Sequence, residues 1–158
     1  MTAYGDDKIY NNLLDLYSKT EIPDEKRAVM TALGQFKDAK LLKKVLDFSL
    51  TSKVRTQDLV IVISSVASNP HARSVLLPWF KENWKKIFGY QKSGHLFIQL
   101  LEAVISSCAN RNMKEELRKF FVAHPVKYTM TLERSFERVE RNINWLERNR
   151  DVLEKYFG

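Results

Sequence analysis

Histidine, cysteine and tryptophan are the side chains here best suited to metal, nucleophilic or stacking chemistry, and their spacing speaks against all three. His71, His95 and His124 stand 24 and 29 residues apart. No two therefore share a helix face at metal-ligand spacing. There is no His-Glu-x-x-His, no Gly-x-Ser-x-Gly and no glycine-rich phosphate loop. Cys108 follows Ser106 and Ser107 in an apolar stretch. With no identifiable base or cationic setting around it, it reads as a buried, inert thiol. A single cysteine also excludes an internal disulfide framework and a four-thiolate zinc site. Trp79, Trp84 and Trp145 sit at helical spacing among Leu and Phe, where tryptophan packs in cores more often than it stacks on ligands. The chain is expected to carry no catalytic, cofactor-binding or metal-ligating residue of its own.

Charge narrows the partners. Twenty-six Lys and Arg against nineteen Asp and Glu give +7, a sign that invites nucleic acid. Between Glu133 and Arg150, however, arginines alternate with Glu133, Glu137, Glu140 and Glu147, and i,i+3 and i,i+4 pairing is expected to neutralise part of that charge. Lys37, Lys40, Lys43 and Lys44 oppose an apolar stripe, as on a solvated helix face. A second small cluster is Lys81, Lys85 and Lys86. No nucleic acid partner is expected. The longest apolar run, Leu59–Ile63, has five residues, far short of the roughly 18 of a membrane span. Met1–Gly5 shows no basic-then-apolar secretory pattern. Neither a membrane nor a secretory route is expected.

The elements that would position any site are helices. The 158 residues are 44% apolar and 28% charged, the composition of a folded globule rather than a disordered chain. Five Gly and four Pro are too few for many short strands. Asp6 or Asp7 caps a first helix whose apolar positions are Ile9, Leu13, Leu16 and Tyr17. Pro23 opens a second, which Gly34 ends. Asp38 opens a third, with Leu41, Leu42, Val45, Leu46 and Phe48 inward. The β-branched Leu59–Ile63 suits a buried strand as well as a helix. Thr56 as a cap and the spacing of Leu59, Ile63 and Val66 favour a helix. Asn69-Pro70 starts a helix running through Val75, Leu76, Trp79, Phe80, Trp84, Ile87 and Phe88 to Gly89, with a kink at Pro78. Ser93 caps the next, apolar nearly all round from Leu96 to Ile105 and hence buried. Asn110 or Asn112 starts a shorter helix that His124-Pro125 ends. Thr129 or Thr131 opens the last, with Leu132, Phe136, Val139, Ile143 and Leu146 as its stripe; it continues to Phe157 or breaks at Asn149. Eight or nine helices in short-linked pairs restart near Asp24, Thr56, Ser93 and Thr129. These steps suit an all-α, HEAT/armadillo-like superhelical stack of antiparallel helix pairs over residues 1–158 as one domain.

Four stretches carry a resemblance. They are Leu13-Leu-Asp-Leu-Tyr17 with Asp24-Glu-Lys26 and Ala32-Leu-Gly34; Val54-Arg-Thr-Gln-Asp58; Asn69–Trp84, with its Trp-Phe-Lys-Glu-Asn-Trp core; and Asn142-Ile-Asn-Trp-Leu146 with the charged helix to Phe157. In order and spacing the chain resembles the carboxy-terminal part of the zinc aminopeptidases that include aminopeptidase N, and most of all their cytosolic, puromycin-sensitive branch. The resemblance implies a helical superhelix that closes a chamber over a thermolysin-like catalytic domain, with this stretch its final half or so. It implies a parent that removes amino-terminal residues through zinc-activated water, with the zinc ligands far upstream. It implies the catalytic domain and peptide substrates as partners, and a cytoplasmic location. Where some peptide-trimming relatives place a basic residue after the Ala-Leu pair to hold the substrate carboxylate, this chain has Gln35, a weaker anion holder than a guanidinium. Arg55 and Gln57, at a helix start, carry polar heads able to face the chamber, though caps and solvation commonly use such groups.

A stack cut from a longer one is expected to expose an apolar patch at its amino-terminal edge, on Ile9–Tyr17 and Ala28–Phe36, open to self-association. Two other readings fit the same pattern. One is a freestanding helical-repeat module that binds a protein or peptide partner. The other is a basic helical nucleic-acid binder, whose binding would weaken steeply with salt.

Overall fold

The computed structural model describes residues 7–157. Among them are nine α-helices and no strand: α1 (Asp7–Lys19), α2 (Pro23–Leu33), α3 (Ala39–Ser49), α4 (Thr56–Ser68), α5 (Arg73–Glu82), α6 (Trp84–Phe88), α7 (His95–Ser106), α8 (Arg111–Ala123) and α9 (Thr129–Phe157). Short 3-10 turns occupy Pro70–Ala72 and Gly89–Ser93. The expectation for Met1–Gly5, and Asp6 as a cap, lie outside the described residues. No described helix is long and apolar enough to cross a membrane.

Local chemistry sets most boundaries. Asp38 caps α3, accepting from the backbone N–H groups of Lys40 and Leu41. Asn110 caps α8 through Met113 N–H. Pro23 occupies the first position of α2, with Asp24 and Glu25 in its first turn. The β-branched stretch is helical and buried on most sides: Leu59, Val60, Val62, Ile63 and Val66 all lie in the core.

Three boundaries differ from expectation. Arg55, not Thr56, is the cap residue of α4, and no side chain caps that end. The helix expected to run to Gly89 ends at Glu82, with Pro78 inside it, and the chain breaks at Asn83 before α6. There the Asn83 amide donates to Trp79 O at 3.0 Å, competing with the helix for that carbonyl. Ser93 caps nothing; it ends a 3-10 turn, and α7 starts after Gly94, whose φ of 51° is the left-handed conformation glycine tolerates. Of the two courses open to the last helix, the structure takes the continuous one: α9 runs past Asn149 to Phe157.

The helices gather into two compact units, Met1–Val104 and Ile105–Gly158. In the first, α2 packs on α1 and α4, while α3 packs on α4 and α5. Tyr10 reaches Lys44 O at 3.4 Å, and the Tyr17 ring meets Phe48 edge-on, which joins α1 to α3. α1, α3 and α5 thus form one layer and α2 and α4 a second, an arrangement consistent with a stack of helices. The core of this unit includes Met30, Leu33, Leu42, Leu46, Ile63 and Phe80, each essentially fully buried. Such a side chain is worth roughly 1.5–3 kcal/mol of burial. In the second unit α8 lies along α9, with Leu117 and Phe121 inward from one and Leu132, Phe136, Val139 and Ile143 from the other.

Candidate functional site

The first turn of α4 holds the most constrained charge in the molecule's first unit. Asp58 is fully buried. Its carboxylate accepts from Arg55 Nε at 2.6 Å, Arg55 Nη2 at 3.1 Å and Tyr17 Oη at 2.8 Å. A buried carboxylate is tolerable only with such donors. Tyr17's phenol is pushed above its ordinary value, first by burial and then by its bond to Asp58. One edge of the Arg55 guanidinium, its Nε and Nη2 donors, is thereby spent inside the fold, although its side chain remains 42% exposed. Gln57, two positions on, is exposed.

Gln35 lies elsewhere. Its Nε2 donates to Ser65 Oγ at 2.8 Å and Ser65 O at 3.3 Å. Ser65 Oγ in turn donates to Thr31 O at 2.7 Å. Asn69 completes the seam, its amide donating to Gly34 O and Phe36 O at 2.9 and 2.7 Å. The amide nitrogen of Gln35 is directed at α4, and an anionic ligand would have to displace its bonds to Ser65. Ser65 is eight positions along α4 from Gln57, about 12 Å at the helical rise. The structure therefore brings Arg55 and Gln57 together at one end of α4 and places Gln35 near the other.

The remaining candidates for chemistry are dispersed. Among the described residues no three His, Cys, Asp or Glu side chains converge as metal ligands. A zinc ion of the kind the resemblance implies does not fit these residues. His71 sits in the turn before α5, His95 opens α7, and His124 stacks on Phe120 with ring centroids 4.2 Å apart. Cys108 is buried, and its thiol is pushed up to about 12, by burial and then by the charge of Glu116. Such a thiol is not a ready nucleophile. Trp79 is core and its Nε1 donates to Asp47 Oδ1 at 2.9 Å. Trp84 packs against Phe80, Phe88 and Phe97. Trp145 departs from expectation and is 52% exposed. At 100° per residue it projects opposite the stripe of Leu132, Phe136, Val139 and Ile143, a signal its spacing already carried.

The electrostatics of the second unit also differ from expectation. The glutamates of α9 pair across to α8 rather than along their own helix. Arg111 donates to Glu140 at 2.5 Å, to both Glu147 oxygens at 3.1 and 2.8 Å, and to Asn144 Oδ1 at 2.6 Å. Lys114 also bonds Glu140, and Arg118 bonds Glu133 at 2.9 Å while lying over the Phe136 ring. These bonds lower the pKa of Glu140 (Lys114 first, then Arg111) and of Glu147 (Arg111) below the usual carboxylate value.

The described residues form two all-helical units, in which Asp58, Gln35, Asn69 and Arg111 spend polar groups on holding helices together. They offer no assembled catalytic constellation. Residues 1–141 match the ERAP1-like C-terminal domain, and the chain belongs to that family. It is 32% identical over 139 residues to Aminopeptidase M1 of Arabidopsis thaliana, a match covering 87% of the chain and 16% of that relative. It is 28% identical over 156 residues to Aminopeptidase 2, mitochondrial, of Saccharomyces cerevisiae, with 96% and 16% covered. It is 26% identical over 161 residues to Aminopeptidase N of Mus musculus, with 98% and 17% covered. The chain therefore spans about a sixth of the length of the relatives it matches.

Proposed function

We propose that this chain works as the non-catalytic carboxy-terminal helical part of a zinc-dependent aminopeptidase, closing the chamber over the catalytic domain and helping to select peptide substrates. The observation that carries this reading is the family match over residues 1–141, together with relatives called aminopeptidases that are about six times longer. In this reading the zinc and the residues that bind it belong to the catalytic domain. The chain's partners are that domain and the peptide. Arg55 and Gln57 are substrate-facing contacts of the chamber wall, Arg55 through the part of its guanidinium that Asp58 leaves exposed, and Gln35, whose amide nitrogen Ser65 holds, contributes its carbonyl oxygen. A cytoplasmic location fits a lone cysteine kept as a thiol.

The outward face of α1 supports the reading. Ile9 and Leu16 are 39% and 46% exposed, Leu13 lies between them on the same face, and Ile22 just beyond is 54% exposed. An apolar stripe of this kind suits an edge where a stack of helices continues or meets a second copy.

A chimera tests the proposal. The corresponding segment of Aminopeptidase M1 is replaced by this chain or deleted, and hydrolysis of an aminoacyl reporter and of peptides of graded length is measured. The chimera is expected to keep the length profile of the parent, and the deletion to lose it. A deletion whose length profile matches the intact enzyme would overturn the reading, as would zinc-dependent aminopeptidase turnover by this chain alone.

A further inference from the structure

The α8–α9 ion pairs sort the charges of α9 by face. Glu133, Glu140 and Glu147 are committed to α8. Arg134, Arg138, Arg141 and Arg148 are all exposed. Among the described residues none of the four forms an ion pair; Arg148 Nε donates to the backbone carbonyl of Asn144 at 3.2 Å. Their spacing of 4, 3 and 7 residues, with the half-exposed Trp145 filling the gap, repeats the helical period. At 100° per residue all five lie within about 40° of a single line, opposite the buried stripe. The line is about 21 Å long at 1.5 Å per residue.

We infer that this row is a docking site for an acidic, helical protein segment. Two features choose that partner over a phosphate surface. The row is narrow and bordered along one flank by Glu133, Glu137 and Glu140. α8 already holds Glu133 and Glu140 in ion pairs, so the repulsion that a nucleic-acid duplex or an anionic bilayer, broad enough to cover that flank, meets there comes from Glu137. A single row of carboxylates on a neighbouring helix meets the arginines and misses the glutamates. The pitch also fits. Carboxylates at i, i+4, i+7 and i+14 of a second helix repeat the intervals of the arginines, and each guanidinium can take a carboxylate through two parallel N–H bonds. Trp145, between Arg141 and Arg148, supplies the aromatic contact that such surfaces use as an anchor. Exposed pairs are individually weak and screened by salt, so binding is modest and falls as ionic strength rises.

The test uses the full chain and a labelled synthetic helix with glutamate at those four intervals, followed by fluorescence anisotropy at low and physiological salt. Controls are the same peptide with glutamine, a single-stranded oligonucleotide of equal charge, and phosphatidylserine vesicles. The glutamate peptide is expected to bind, the glutamine peptide not. Arg138→Glu with Arg141→Glu should weaken the complex about tenfold or more and gain binding to a lysine version of the peptide. Arg138→Gln with Arg141→Gln should weaken it without that gain, and Trp145→Ala should weaken it at unchanged salt slope. Circular dichroism confirms that each variant is folded. Absence of binding by the glutamate peptide, equal binding by the reversed-charge variant, or tighter binding of the oligonucleotide or vesicles would overturn the inference.

Discussion

Tyr17 of α1 donates its phenolic hydrogen to Asp58 of α4 at 2.8 Å, across 41 positions of sequence. The same carboxylate holds Arg55, three residues earlier. One buried charge thus ties the amino-terminal helix to a helix of the opposite layer and fixes the first turn of α4, where Arg55 and Gln57 stand.

Removing that charge should be expensive. Asp58→Ala strands Tyr17 Oη in the core and leaves Arg55 without its acceptor, so a loss of about 2–4 kcal/mol is expected. Tyr17→Phe removes one donor only and should cost about 1–2 kcal/mol. Urea unfolding of both single variants and the double would show strong non-additivity, since each deletes the same bond.

The phenols also set an alkaline limit. The pKa values of Tyr17 and Tyr10 are raised in the folded chain above the ordinary 10.0, in each case chiefly by burial. Their contribution is full below pH 10 and disappears as pH climbs through the folded values. Stability measured by urea unfolding should therefore fall above pH 10, and Tyr17→Phe should flatten the fall.

Gly34 gives a packing prediction. Its φ of −71° is ordinary, so backbone freedom does not explain it. A Cβ there would stand 2.4 Å from Ser65 Oγ, 2.5 Å from Ser65 Cβ and 2.9 Å from Val66 N. Gly34→Ala must push α2 and α4 apart along the seam that Gln35 and Asn69 close, at a cost of about 1–3 kcal/mol or more. Ser65→Ala in the same chain should not rescue the melting temperature, because the Cβ of residue 65 is itself in the way.

How far the sequence discloses this depends on range. Asp38, Asn110 and Pro23 act through neighbours two or three positions away, and their helix starts are legible. The helical state of Leu59–Ile63 is legible because no other segment offers a strand to pair with. The break at Asn83 and the failure of Ser93 to cap are not, since each turns on competition between several local bonds. Gly34 reads as a helix stop, yet its close approach to Ser65, 31 positions on, shows only in the packed structure. The same holds for Gln35, whose amide is aimed at α4, and for the arginines of α9, whose apparent partners on their own helix belong to α8. Trp145 is the exception: its apolar neighbours suggest a core position, while its angle on the helix places it outside.

The α8–α9 bonds give the acid limit. The pKa values of Glu140 and Glu147 are depressed below 4.5 in the folded chain, by Lys114 and Arg111 in the first and by Arg111 in the second. A depressed carboxylate stabilises above its unfolded value and loses that contribution as pH falls through the folded one. Melting temperature should therefore drop below pH 4.5, and Glu140→Gln with Glu147→Gln should shrink the drop. Both carboxylates face solvent, so high salt should mute the effect as well.

The face of α1 yields the last prediction. Leu16 is nearly half exposed and sits in line with Ile9 and Leu13. A substitution there touches little of the core, so Leu16→Glu should change stability by no more than about 0.5 kcal/mol. Its effect on association should be large. If the stripe meets a second copy when no other chain covers it, light scattering should show mass rising with concentration for the parent sequence and a monomer for Leu16→Glu. A glutamate in the middle of an apolar contact must be desolvated without a partner, which is why one charge suffices. A parent sequence that stays monomeric at all concentrations would remove self-association from the proposal, and the family membership would stand without it.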